Sequence, residues 1–144
     1  MKRQGGFTLI EMIVVIVILG ILSVTAAPKF LSFKDDAQAG ALEGLKAAMQ
    51  SAASIVNGSF LISGADANSK VGDVLVHNGF PDATSTGIGE AIETADFEPY
   101  TTGSTPAGSI EYTFVEGGGT KCVIYTKSAA LNVNPVIAVG DCTK

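Results

Sequence analysis

The residues best placed for chemistry crowd the N-terminus, in the run Lys2-Arg3-Gln4-Gly5-Gly6-Phe7-Thr8-Leu9-Ile10-Glu11. Gly5 and Gly6 leave the backbone extended and accessible, as a protease requires to approach a peptide bond. Glu11 is the single charge between Phe7 and Ala27. A carboxylate inside an apolar helix costs roughly 2.5 to 3.5 kcal/mol on the insertion scale, so it needs a partner or a role. Cleavage after Gly6 supplies a partner, because the new α-amino group of Phe7 lies one helical turn away and is cationic at neutral pH. The positive end of the helix dipole adds to the attraction. The pair can form within one subunit or between neighbours as they join, and in the second case Glu11 also sets the register of assembly.

Other reactive side chains are few. Cys122 and Cys142 sit close together near the C-terminus of a chain whose N-terminus looks membrane-targeted, which points to a disulfide in an oxidising compartment. Closing that loop stabilises the domain by roughly 3 kcal/mol in the chain-entropy model, with two buried free thiols as the alternative. His77, beside Asn78 and Gly79, has no Cys or carboxylate partners at ligand spacing and reads as a solvated turn residue. Asp35 and Asp36 read as a solvated helix face. No nucleophile, base and orienter are recognisably spaced, no metal-ligand cluster exists, and the run Gly117 to Gly119 lacks the lysine and following helix of a phosphate loop. Neither an enzyme nor a cofactor is expected.

The elements that must position these residues follow from patterning. Of 144 residues 47% are hydrophobic, and the excess is local: Met12 to Leu22 holds nothing but apolar residues and one glycine. Phe7 to Ala27 is about one bilayer's thickness of helix, and Lys2 and Arg3 keep its start cytoplasmic. The net charge is −5, made more acidic if Lys2 and Arg3 leave with a leader. The remaining lysines are scattered singly, so neither nucleic acid nor an anionic lipid surface is an indicated partner.

The apolar run continues past Pro28 into an amphipathic pattern ending near Asn57 and Gly58. There Ala41, Leu45, Ala48, Ala52 and Ile55 recur at steps of four and three, with Leu42, Met49, Ala53 and Val56 widening the stripe. At ~1.5 Å per residue this helix is on the order of 75 Å long, more than a domain of this size can cover. Pro28 predicts a kink, in a region that Gly20 loosens. From Gly58 to about Gly108 the pattern predicts a long irregular connection with short elements around Val71 to Val76 and Ile88 to Ile92. The period then changes to two. Ile110, Tyr112 and Phe114 alternate with polar neighbours, Glu116 to Gly119 supply a turn, and Cys122 to Tyr125 and Pro135 to Val139 run apolar. Three antiparallel strands packed on the amphipathic half-helix give an α+β domain with the apolar half-helix protruding. The predicted divisions are a leader over 1–6, a helix over 7–57 (apolar to 28, packed on the sheet from 29), a connection over 58–108 and a disulfide-bearing sheet over 109–144.

Gly6-Phe7-Thr8-Leu9-Ile10-Glu11 and the apolar run after it resemble the prepilin signature of the type IV pilin and type II secretion pseudopilin superfamily. The resemblance covers residues 1 to about 57. It implies a pilin fold, cleavage between Gly6 and Phe7 by a prepilin peptidase, and N-methylation of Phe7. It further implies a homopolymeric filament cored by N-terminal half-helices and built by an assembly ATPase and platform machinery. The subunit would pass from the inner membrane to an extracellular pilus. Glu11 maps onto the family's glutamate that neutralises a neighbouring N-terminus, and Gly20 and Pro28 onto the segment that loses helicity on packing. The six-residue leader and Phe7 are similar to the type IVa class. Ala26-Ala27-Pro28-Lys29-Phe30-Leu31 and Gly79-Phe80-Pro81-Asp82 resemble pilins of mannose-sensitive haemagglutinin pili, an adhesive type.

Three alternatives stand beside this reading. Val24-Thr25-Ala26 before Ala27 satisfies the secretory cleavage rule, against which Glu11 and the uninterrupted helix argue. A single-pass anchor explains the hydrophobicity but not the glycine pair. A type II secretion pseudopilin shares the N-terminal signature, but the last residues hold one acid, Asp141, where major pseudopilins carry an acidic calcium loop.

Overall fold

The fold is that of a computed structural model, which describes residues 6–101, 105–115 and 120–143. Residues 1–5 of the expected leader and the expected turn Glu116 to Gly119 lie outside the described residues. The architecture is α+β, an apolar N-terminal helix followed by an amphipathic stretch and antiparallel sheet. The chain divides into two units, one ending at Ala39 and one beginning at Gly40, with the boundary inside helix α1.

Helix α1 spans Leu9–Ser63 and is continuous through Gly20 and Pro28. It also runs past Asn57 and Gly58, where the sequence predicted its end. Asn57 explains part of this persistence, because its side-chain amide donates to the Gly79 carbonyl (3.0 Å) and ties the helix to a hairpin. In the first unit the apolar side chains from Leu9 to Val24 are exposed.

In the second unit α1 carries a narrow buried stripe of Leu42, Leu45, Met49, Ala53 and Val56. Within this unit the stripe begins at Leu42. Its axis is rotated, since Ala41, Ala48 and Ile55, read as core, are exposed. The reason is geometric. A step of one residue turns the helix by about 100°, and the sheet face covers a single seam. Leu42, Leu45 and Met49 join Ile88, Tyr112, Val123 and Tyr125 in the hydrophobic core.

The segment read as an irregular connection is more structured than its composition suggests. Strands β1 (Lys70–Val71), β2 (Val74–His77) and β3 (Phe80–Pro81) form a small antiparallel sheet, followed by one turn of helix, α2 (Ile88–Ala91). Asn78 and Gly79 connect β2 to β3 with φ of 53° and 79°, the two left-handed residues a primed hairpin turn requires. His77 is thus the last residue of β2 and half-buried, not a solvated turn residue.

Four strands, not three, make the main sheet, in the order β4 (Phe97–Pro99), β5 (Ser109–Phe114), β6 (Lys121–Thr126) and β7 (Val136–Asp141), all antiparallel. β4 was hidden because three residues give no period. It is held by pairing with β5 and by the Phe97 and Phe114 rings, whose centroids are 5.0 Å apart. Pro99 sits on this edge strand, where a missing N–H is tolerated.

Candidate functional site

Gly6, Phe7 and Thr8 precede the helix without regular structure, and Phe7 is 81% exposed. The cleavage site read from sequence is thus unencumbered by secondary structure on its C-terminal side. Thr8 caps the helix that follows. The Thr8 carbonyl accepts the first helical hydrogen bond, from the Met12 N–H (3.3 Å). Its hydroxyl accepts from the Glu11 N–H (3.4 Å), and its own N–H and hydroxyl both donate to Glu11 Oε2 (2.8 and 2.7 Å). This is a capping box, with threonine at the N-cap and glutamate three residues on. The glutamate that required a partner therefore has one in the uncleaved chain.

Thr8 was overlooked although its signal is local, a threonine three residues before a glutamate at the start of an apolar run. The two partners of Glu11 are chemically distinct. Thr8 offers neutral donors from the same chain, whereas a freed Phe7 amine would offer a full positive charge.

Behind the cap, residues Leu9–Ala26 form a helix long and apolar enough to cross a membrane. Ser23 and Thr25 donate their hydroxyls to the carbonyls of Leu19 (2.7 Å) and of Ile21 and Leu22, so neither leaves a free donor on this surface. Asp35 and Asp36 are exposed, as read.

In the second unit Cys122 and Cys142 form a disulfide, with Cα atoms 5.0 Å apart and both residues buried. The bridge pins the C-terminal residues over the sheet face opposite α1. On that same face Glu111 is wholly buried, and its carboxylate accepts from the Thr143 N–H (3.0 Å) and hydroxyl (2.7 Å). Glu111 occupies a polar position in the β5 alternation, and local periodicity carries no sign that such a position is covered. Thr143 of the returning chain end caps its carboxylate.

Tyr125 donates to the Pro81 carbonyl (2.7 Å), joining the main sheet to the small one, and burial, with the charge of Asp82 second, raises its pKa well above the ordinary tyrosine value. Burial raises Tyr112 as well. Among the described residues no group of three or more His, Cys, Asp or Glu side chains could hold a metal, and none of the buried side-chain polar atoms lacks a hydrogen-bond partner.

Residues 1–27 match the family described as the prokaryotic N-terminal methylation motif. Over 53 residues the chain is 45% identical to the type IV narrow pilus major component PilA5 of Thermus thermophilus, a match covering 37% of this chain and 46% of that protein. Over 43 residues it is 46% identical to the type II secretion system core protein G of Pseudomonas aeruginosa, covering 30% of each. The chain thus spans less than half the length of either relative. No solved structure matches it. The motif and the apolar helix behind it fit a membrane-anchored precursor. At its N-terminus the chain is type IV pilin-like, a description that takes in pilins and secretion pseudopilins alike.

Proposed function

We propose that this chain is the structural subunit of an extracellular type IV pilus. A prepilin peptidase cleaves between Gly6 and Phe7, the new amine of Phe7 is methylated, and the subunit waits in the inner membrane. It then joins a helical homopolymer through Leu9–Ala26, driven by an assembly ATPase and platform protein. The supporting observation is an exposed apolar helix that begins three residues after Gly6 and carries one carboxylate in its first turn. Such a surface is stable in lipid, or against copies of itself once it leaves lipid.

Glu11 acts in the joining step. Its bonds to Thr8 lower the cost of placing a carboxylate in the bilayer, and a cationic Phe7 amine of a neighbour competes for the same oxygens. Gly20 and Pro28 mark where the helix yields on packing. Within the type IVa class, the resemblance carried by the sequences around Ala26 and Gly79 supports a subunit of the adhesive, mannose-sensitive haemagglutinin type. A second reading, a type II secretion pseudopilin, is favoured by the identity to core protein G.

Intact mass and N-terminal sequencing of protein sheared from whole cells test the reading. A methylated Phe7 start in sheared filaments is the expected result. A Phe7 start confined to membranes would transfer the chain to the pseudopilins, and an Ala27 start would make it an ordinary secreted protein. Glu11→Ala should leave membrane insertion intact and slow incorporation, so normal piliation in that variant would sink the role given to Glu11.

A further inference from the structure

The two edges of the main sheet are built differently. On β4 the edge is closed. The strand is three residues long, Glu98 on it is exposed, the Phe97 N–H donates to the Thr94 carbonyl (3.0 Å), and Pro99 has no N–H to offer. These are devices by which natural sheets refuse a further strand. β7 has none of them. It runs six residues, Val136–Asp141, without proline and without a charged side chain before Asp141.

Register fixes which main-chain groups of β7 face outward. The Cys142 N–H bonds to the Thr120 carbonyl (2.9 Å), in step with the pairing of Lys121 with Asp141. In an antiparallel ladder alternate residues bond across the pair, so Gly140, Ala138 and Val136 turn their N–H and C=O to β6. Ile137 and Val139 turn theirs away from the sheet, and among the described residues those groups have no hydrogen-bond partner. Beside Ile137 lies a cavity of about 260 Å³. Phe80 and Ile137 line it together with the neutral polar side chains of Gln50, Ser54 and Asn134, and among the described residues no charged side chain does. An open row of N–H and C=O groups with a pocket at its flank is the geometry that takes an extended peptide. Main-chain bonds hold the added strand, and the pocket selects one of its side chains.

We infer that β7 is a docking edge for an extended segment of another polypeptide, which adds a strand to the main sheet and places one uncharged side chain in the cavity beside Ile137. A charged side chain would lose its hydration there without gaining a counter-ion. A second copy of this chain meets the edge badly. Its β4 edge is closed, and the outer strands of its small sheet are two residues long. Pairing of β7 with β7 is isologous and closes as a dimer, at odds with the helical polymer proposed above, and in that one respect the inference rests on the polymer reading.

Hydrogen exchange of the full-length chain in detergent, resolved at Ile137 and Val139 by NMR, tests the inference. The probe is a short acetylated and amidated peptide of alternating threonine and valine with one central leucine. Both amides should exchange rapidly in the free chain and slow by about tenfold or more with the peptide bound. Lysine in place of the central leucine should weaken binding by about tenfold. Val139→Pro removes an outward N–H that the fold does not use and should weaken binding by a similar factor. Ser54→Phe fills the cavity from an exposed position and should do likewise, independently of any effect of proline on the strand. Amides that stay fast with the peptide present, or binding indifferent to both substitutions, would overturn the inference. So would protection of these amides without peptide, whether it rises with chain concentration, as a pair of copies requires, or not, as cover by the chain itself requires. Binding is read on the unassembled chain, so these outcomes are separate from whether filaments form.

Discussion

Residues Leu9–Ala26 and Leu42–Val56 lie on one helix and are both rich in aliphatic side chains, yet the first stretch is exposed all round and the second buries a single seam. The difference is in what surrounds each apolar position. Leu42, Leu45 and Met49 are separated by Glu43, Gly44, Lys46, Ala47 and Ala48, so one face wants cover and the sheet supplies it. In Ile13 to Leu19 no position is polar, so every face wants cover and no sheet of this chain could provide it. Hydrophobicity thus marks both a core and a surface for another phase, and the polar positions between decide which.

Paired substitutions break or sharpen this contrast. Met49→Ala empties a site with 0% exposure and should cost about 2 to 5 kcal/mol. Ile16→Ala, at a site 67% exposed, should fall within about 0.5 kcal/mol. Denaturant unfolding of the full chain in detergent, followed by tyrosine fluorescence, measures both, and equal losses would erase the distinction. Cys122→Ser opens the one disulfide among the described residues, and should cost about 3 kcal/mol with loss of protease resistance in the second unit alone.

Glu111→Ala should cost about 1 to 3 kcal/mol, because the two Thr143 donors lose a buried acceptor. It should also speed trimming of the C-terminus by carboxypeptidase, which a purely solvent-facing Glu111 would not. Tyr125→Phe removes one neutral hydrogen bond and about 1 kcal/mol at neutral pH. It should also reduce a pH effect. Tyr112 and Tyr125 have folded pKa values raised above the unfolded value near 10, so their contribution is complete below about pH 10 and lost as pH rises further. Unfolding midpoints at pH 8 and above 10 should diverge less in Tyr125→Phe than in the parent, and nothing comparable should affect the helix Leu9–Ala26, which holds no tyrosine.

The sequence by itself determined whatever depends on near neighbours along the chain. The long apolar helix, the amphipathic stretch after it, the Asn78-Gly79 turn and the strands around Tyr112 and Tyr125 are each written in local periodicity or turn chemistry. The isolation of Glu11 within a helix is equally local, and so is the Thr8 cap, legible in the spacing though unread. The tertiary structure alone decided what depends on covering. It turned the buried stripe to Leu42, Leu45 and Met49 and left Ala41, Ala48 and Ile55 outside. It recruited Phe97–Pro99 as a fourth strand, and folded the chain end over Glu111 so that a polar strand position became wholly buried. Periodicity states that a face must be covered. Which face is covered, and by what, is fixed by residues distant in sequence, whose contact energies no local window contains.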